Sequence, residues 1–596
     1  MKIILVHSSQ FTDQKTPWLY FGSSYLKMKL CERRLSEKMI NLQDEIHLQA
    51  EVQKIPFLKW IEAQRVVNKD SIFWWMTHIA GRNNAYSNFY LNLCQLFAIK
   101  NYLNKNNQEK EILIICEDAF LLKLLSQNLL PEFKLKLPFL FRYYWYKDIL
   151  QLLVKGLISQ FKLIFVLAIH YIYAQLTAPK KKIKPQGDVS LFHHCLDKTD
   201  TWQDSIITCK YFTILPRWLT KQGVKVFGLP WLFNSRPSKN FYKKLRKANC
   251  LIPEDWLNLR DYFYIFKSSI KSLKTLNYDI LYPDVKFNCL IFRERLFQFG
   301  EQSAFFWRYI PAIQKWSEKL NSITTYDRYE NGITEHPIRY IIKKLPIKST
   351  TIGYYHSLVS KEFMIYQYLE SEWGSKMKPD FVACSGKIGE NQLINQGVPQ
   401  KKILQTAALR QSIAAIELSK KKPINRLLIL LPMDVEESIE ILMKTYSNNL
   451  LITDELKLKV RVKNHPKLEG EHILKKIKWK NLPQGWEWAT KNLYSELEDS
   501  YCCIAMGTAS VFDVILAGNI VISCMSDSKI MDNYLDFFSE KYSLIHSVSE
   551  KELPTKLKEI FVTKTQQYQD EFYQIRQEIF KGMNPINSKN LSNFLV

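Results

Sequence analysis

The chain has 596 residues, with 83 Lys+Arg against 58 Asp+Glu and a formal net charge of +25. That length calls for about two to four domains, and a 46% apolar composition without repeats or low-complexity tracts excludes fibrous, repeat and disordered classes. The charge favours anionic partners, but the basic residues are spread along the chain rather than massed in one tail, which argues against nucleic acid and for a phospholipid surface or phosphorylated small molecules.

The N-terminal "MKIILVHSSQ" is too short for a signal h-region with a cleavage site and reads as a first β-strand. Further short apolar runs follow: "EILIICED" (111–118), "DVSLFHH" (188–194), "GVKVFGLP" (223–230), "TTIGYYH" (350–356) and "DFVACSG" (380–386). Helix-length stretches separate them, among them Glu362–Glu372 and Lys387–Gln396. Strands of this length, apolar on both faces and alternating with helices, predict a parallel α/β sheet. The eleven cysteines show no metal-type spacing. Most sit in the apolar runs, as Cys116, Cys384, Cys502 and Cys503 do, and read as buried free thiols in a reducing compartment. His193 and His194 in "FHHC" have no second ligand cluster and read as a strand end.

The segment 137–178 departs from this pattern. It is rich in Leu, Ile, Phe, Tyr and Trp, its charges are few, and its uncharged part, Leu163–Ala178, falls short of the roughly 20 residues that a spanning helix needs. The lysines of "PKKKIKP" (179–185) follow at once. Three readings fit: one or two buried helices before a basic linker, an interfacial hairpin with its lysines on anionic lipid, or a membrane span.

A second series begins after residue 420 with the strand "RLLILLP" (426–432), then the helix "MDVEESIEILMKTYS" with acids in its first turn. The strands "KLKVRVK" (457–463), "YCCIAM" (501–506) and "NIVISC" (519–524) continue it, and an amphipathic helix over 553–582 closes it. The break "LSKKKPINR" (418–426) reads as a linker. Two such series in tandem predict two Rossmann-like domains facing a cleft.

Ligands of parallel sheets bind beyond the carboxyl ends of the strands. His465 sits at such an end, its backbone restricted by Pro466, with Lys463 nearby. The loop "GTAS" puts Gly507, Thr508 and Ser510 before the helix "SVFDVILAG", where free N–H groups and hydroxyls suit an anion. In "DRYENGITEHPIRY" (327–340), Glu330 precedes the turn residues Asn331 and Gly332, and Thr334 is the expected N-cap of the next helix. His356 ends the strand "TIGYYH", which adds it, with Asn331 and Gly332, to the cleft candidates.

An acidic-Gly turn, then a strand ending in His-Pro, then a Ser/Thr loop opening a helix resembles bacterial GT-B glycosyltransferases of surface-polysaccharide synthesis, and is similar to CMP-sugar-using sialyltransferases and capsule enzymes. "TIGYYHS", "PDFVACSG" and "QGVPQKKI" further resemble proteins of O-antigen and capsule loci, and the likeness covers residues 325–525. The resemblance implies a GT-B-like α/β fold, with an acceptor domain over 1–410 that includes the apolar helical segment and basic linker at 137–185, and a nucleotide-donor domain over 411–596. It implies Glu330 as general base, His465 on the donor nucleotide or its phosphate, and Thr508 and Ser510 on the phosphate. Where the family pattern has two acidic residues before the glycine, this chain has Glu330 and then Asn331. No convincing Asp-X-Asp motif is present, so the expected reaction is metal-independent sugar transfer, without a cofactor, from a nucleotide-sugar donor to a lipid-linked glycan, by an enzyme on the inner face of the cytoplasmic membrane. CDP-glycerol-type phosphotransferases share the His-Pro and Ser-rich loop, with "SVFD" (510–513) in their favour, and a non-catalytic sugar-nucleotide-binding protein of the same fold is the other alternative.

Overall fold

The computed structural model describes residues 2–9, 15–84, 86–106, 111–129, 133–179, 184–196, 201–203, 206–232, 237–274, 282–283, 285–300, 303–410, 424–466, 468–530, 533–539 and 541–596. Three parallel sheets organise the chain. The first holds β1 (Lys2–His7), β2 (Trp18–Phe21), β3 (Glu111–Cys116) and β4 (Lys134–Lys136) in the order β2-β3-β1-β4. The second holds β5 (Gly187–Leu196), β8 (Lys225–Leu232), β9 (Leu320–Asp327), β10 (Lys348–Tyr355), β11 (Phe381–Cys384) and β12 (Ile403–Gln405). A small antiparallel hairpin, β6 (Thr201–Gln203) and β7 (Ile206–Thr208), lies between its first two strands in sequence. The third holds β13 (Arg426–Leu430), β14 (Lys459–Lys463), β15 (Trp486–Trp488), β16 (Cys502–Ala505), β17 (Ile520–Cys524) and β18 (Ser547–Val548).

The apolar runs read from sequence are therefore strands, and their continuous hydrophobicity follows from burial on both faces. The first series, however, is divided between two sheets, and these share one core that joins Ile3, Leu5 and Ile114 to Leu191, Ile323 and Leu229. The order β15-β14-β13-β16-β17-β18 is the Rossmann order 3-2-1-4-5-6, with its reversal between β13 and β16. The order β12-β11-β10-β9-β5-β8 is a flavodoxin-type 2-1-3-4-5 extended by one strand, with its reversal between β5 and β9. The fold is thus α/β and GT-B-like: two Rossmann-like sheets whose carboxyl ends meet at a cleft, with the four-stranded sheet packed beside the first of them.

The end of the chain crosses back to the second sheet. Asn584 N–H donates to the Ser385 carbonyl oxygen at 2.7 Å, and Tyr326 Oη donates to the Phe594 carbonyl oxygen at 3.0 Å. Leu591 and Phe594 thus belong to the core of the second sheet. The expected domain break at 410/411 borders residues 411–423, which lie outside the described residues, as do Lys180, Lys181 and Lys182.

Three expected helices differ. Glu362–Glu372 forms two short 3-10 turns, Met364–Tyr366 and Glu370–Gly374, because Glu372 is drawn into a buried ion pair with Arg82 at 2.8 Å. The helix after the Asn-Gly turn is capped at Glu335, not Thr334, and starts at His336-Pro337. The closing helix is interrupted by a π-turn over Glu559–Thr563. The segment 137–178 holds one continuous, largely exposed helix, Phe141–Leu176, neither a hairpin nor one or two buried helices. Its only buried residues are Tyr144 and, from Gly156 on, a stripe at alternating spacings of four and three: Gly156, Gln160, Leu163, Leu167, His170 and Ala174. Much of the rest of its surface is apolar and open, with Phe161 71% and Phe165 67% exposed, beside the exposed Arg142, Lys147, Lys155 and Lys162. Among the described residues it is the one helix long and apolar enough to cross a membrane.

Candidate functional site

The carboxyl ends of the two six-stranded sheets enclose a cavity of about 310 Å³, in the range of ligand pockets. It unites six residues picked out from the sequence: Glu330 and His356 from the second sheet, and His465, Gly507, Thr508 and Ser510 from the third. The other three lie elsewhere. Lys463 is not in the lining, because its ammonium turns to the Lys491 carbonyl oxygen. Asn331 is fully buried beneath the turn, where its Oδ1 accepts from Lys378 Nζ at 3.2 Å. Gly332 spends its N–H on Glu335 Oε2 at 2.7 Å.

The turn after β9 is built to hold Glu330 outward. Tyr329 and Asn331 take positive φ values, 23° and 47°, a strained path for side-chain-bearing residues. Buried charge holds it there. Asp327 accepts from Arg339 Nε at 2.8 Å and from the Tyr329 N–H at 3.0 Å, while His336 Nδ1 donates to the Trp75 carbonyl oxygen at 2.7 Å. Arg328 lies between Glu330 at 3.2 Å and Glu335 at 3.7 Å, and its guanidinium stacks over Tyr211 and Trp231. Glu330, one third exposed, also meets His356 Nε2 at 3.4 Å. Burial lowers the basicity of His356, with Glu330 pulling the other way, so the imidazole is neutral at pH 7. The site therefore offers a carboxylate that can accept a proton, oriented by a guanidinium and an imidazole.

The facing side suits an anion. Gly507 adopts φ +53°, a backbone that favours glycine, and a Cβ there would lie 2.8 Å from Glu437 Oε2, so the loop packs closely on that carboxylate. The Thr508 hydroxyl accepts from Ser510 N–H at 3.3 Å, and the half-buried Ser510 hydroxyl makes no hydrogen bond among the described residues. Asp434 caps the helix Val435–Tyr446 by accepting from the Glu436 and Glu437 N–H groups at 2.9 and 3.0 Å. Lys529 reaches Asp434 at 2.6 Å. Burial opposes the charge on Lys529, but Glu437 and Asp434 outweigh it and hold the ammonium above its ordinary value. Burial pushes the Glu437 carboxyl up to about 7, Lys529 opposing and Asp434 adding to the shift.

Sequence reading missed Lys529, Asp434, Glu437 and Arg410. Each follows a strand's carboxyl end, Lys529 in the Ser/Asp loop "CMSDSK" after β17, and that position was the one signal available. Arg410 enters the cavity after β12 of the second sheet and pairs across the cleft with Asp513 at 3.3 Å. Tyr494 Oη donates to the same carboxylate at 3.1 Å, which commits the Asp513 of "SVFD" to fixing Arg410.

A scan against protein-family models finds no match, and a search of curated proteins finds no significant one. Solved structures do match. A glycotransferase of kitacinnamycin aligns at 9% identity and a TM-score of 0.37, over 67% of this chain and 96% of its own. The UDP-GlcNAc 2-epimerase of Methanocaldococcus jannaschii, solved with UDP-GlcNAc and UDP, aligns at 12% and 0.37, over 67% and 100%. MurG of Acinetobacter baumannii aligns at 10% and 0.35, over 69% and 99%. Likeness at this level carries no argument about activity; the fold stands on strand order and the site on its geometry.

Proposed function

We propose that the protein is a glycosyltransferase that moves a sugar from a nucleotide-activated donor to an acceptor hydroxyl in this cleft. The observation that carries the reading is that Glu330 and His465 line one cavity from facing Rossmann-like sheets. His465, Thr508, Ser510 and Lys529 receive the donor phosphates, and Gly507 admits them to the loop backbone. Glu330 takes the acceptor proton as the acceptor oxygen bonds to the anomeric carbon. The bond from that carbon to the phosphate oxygen breaks, and the charge that develops on the leaving nucleotide falls beside Lys529 and His465. With Asp513 held by Arg410, the sugar-transfer reading is favoured over glycerophosphate transfer.

The acceptor we assign is a lipid-linked surface glycan, O-antigen or capsule in kind, met at the inner face of the cytoplasmic membrane, and the donor is CMP- or UDP-linked. The bare apolar surface of the helix Phe141–Leu176 supports docking on lipid. The buried residues of that helix run from Tyr144 to Ala174, so the protein body lies alongside it throughout. A spanning orientation would draw the protein body packed along the helix into hydrocarbon, which favours a helix lying in the interface.

Thermal-shift titration with a panel of nucleoside mono- and diphosphates tests the donor site. His465→Ala and the double change Thr508→Ala/Ser510→Ala should each weaken the best ligand by about ten- to a hundredfold, the worth of a lost hydrogen bond to a charged group. Binding unchanged in both variants, or no nucleotide binding by the parent, would overturn the assignment.

A further inference from the structure

A second cavity, of about 350 Å³, lies between the four-stranded sheet and the helix Phe141–Leu176. None of the nine candidate site residues read from the sequence lines it, although the apolar segment 137–178 supplies one side. It adjoins the first cavity, since Tyr86 and Asn88 line both.

Its inner lining is rich in fixed carboxylates: Glu117, Asp118, Asp148 and Glu294, against Lys27 and Arg293. These groups are held in place. Arg293 bonds Asp118 at 3.1 Å and Asn92 Oδ1 at 2.6 Å, Glu117 accepts from the Ser23 N–H at 2.6 Å, and Asp148 accepts from the Ala119 N–H at 2.8 Å. Such a surface repels a phosphate but offers oriented acceptors to sugar hydroxyls, with the rings of Phe120, Phe297 and Tyr86 beside them for the sugar's apolar face.

The outer side is different. Lys147, Gln151 and Lys155 stand four residues apart on one face of the long helix, and both exposed lysines are without an ion pair among the described residues. Next to them the same helix exposes Leu150, Val154, Leu157 and Ile158. A hydroxyl-matched chamber, a pair of available cations and an apolar strip thus follow one another.

We infer that this chamber is the acceptor subsite and that it takes a lipid-linked saccharide phosphate: the saccharide in the chamber, the phosphate at Lys147 and Lys155, and the lipid along the apolar strip. The inference rests on the transferase reading, and it places the acceptor beside the donor cavity, at the edge that Tyr86 and Asn88 share, past which its reactive hydroxyl reaches Glu330.

The test uses the full chain and a farnesyl diphosphate-linked N-acetylglucosamine with a diazirine in its isoprenoid. Irradiation should label peptides of the helix Phe141–Leu176. Gln151→Trp, which fills the chamber from an exposed position, and Lys147→Glu/Lys155→Glu should each lower labelling about tenfold or more. Farnesol with the same diazirine should label the parent at least about tenfold less, because it lacks the phosphate and sugar. Glu330→Gln should label as the parent does, and all variants should keep their nucleotide-induced thermal shift, which shows that they are folded. No labelling, labelling elsewhere, labelling unaffected by these variants, or equal labelling by farnesol overturns the acceptor site. Loss of nucleotide binding in the parent overturns the transferase reading instead, independently of where the probe goes.

Discussion

Gly507 lies directly against Glu437: a Cβ on the glycine would stand 2.8 Å from Glu437 Oε2, at a backbone φ of +53°. Steric exclusion and a left-handed backbone therefore act on the same residue. Gly507→Ala should cost about 1–2 kcal/mol from the backbone alone and push the loop off Glu437. The expected outcome is a lower melting temperature together with loss of nucleotide binding, read by thermal denaturation with and without ligand. An alanine variant with parental affinity would mean that the loop does not close on the donor.

The same contact gives donor binding a pH dependence. Glu437 is pushed up to about 7, mainly by burial. Above that pH it ionises, and together with Asp434 it more than neutralises Lys529, so the site repels phosphate. Below it the carboxyl is neutral and Lys529 is offset by Asp434 alone. Nucleotide affinity should fall from pH 7 to 9 by at most about tenfold per unit, the limit for one linked proton, in a range above the ligand's own phosphate titration near about 6. Calorimetric titration checks this. Glu437→Gln should bind more tightly at pH 8 and flatten the profile.

Glu335 is the internal control for Glu330. It is fully buried, and burial pushes its carboxyl up to about 7 from an ordinary 4.5, with Arg328 opposing. The native state then keeps a proton that the unfolded chain has released, so this group's contribution to stability falls as pH rises from 4.5 through about 7. Glu335→Gln keeps an acceptor for the Gly332 N–H and removes the titration. Its stability relative to the parent should therefore improve from pH 5 to pH 8 in thermal denaturation, with turnover close to parental, since Glu335 does not line the cavity.

The parts of this structure that could be read from the sequence are those whose physics is local. Strands β13, β14, β16 and β17 are short apolar runs between turn residues, and His465 and Ser510 stand beyond their ends, so the third sheet was visible with half of the cavity lining it contributes. Lys529 and Arg410 were not, because a single cation after a strand or loop gains meaning only once strand order brings it to a cleft. Lys463 misled for the same reason: proximity in sequence to His465 says nothing about which way its stem turns. Glu362–Glu372 has helical spacing, but the buried pairing of Glu372 with Arg82 and Lys378 overrides it. The 137–178 segment announced its apolarity but not its exposure, which depends on the narrow stripe it buries against the body.

That exposed surface leads to a lipid-binding prediction. Full burial of a phenylalanine is worth about 1.5–3 kcal/mol, and Phe161 and Phe165 are mostly exposed. Phe161→Ser/Phe165→Ser should lower co-sedimentation with anionic liposomes by at least about a hundredfold in affinity. Lysines near the surface add about 1 kcal/mol each, so binding should need anionic lipid and weaken with salt. Resistance to carbonate wash would mark the helix as a membrane span, and no binding at all would mark its apolar face as an interface with protein.

The central claim is that Glu330 removes the acceptor proton during sugar transfer in this cleft. The measurement that reaches it most directly is the initial rate of nucleotide release from a panel of nucleotide-sugars, with a membrane lipid extract as acceptor source, for the parent and Glu330→Gln, beside donor affinity for both. Glu330→Gln keeps the shape of the side chain, so the rate should fall by about a hundredfold or more while donor affinity stays within about twofold. Equal rates in the two proteins, or a comparable loss in Glu335→Gln in place of Glu330→Gln, would contradict it.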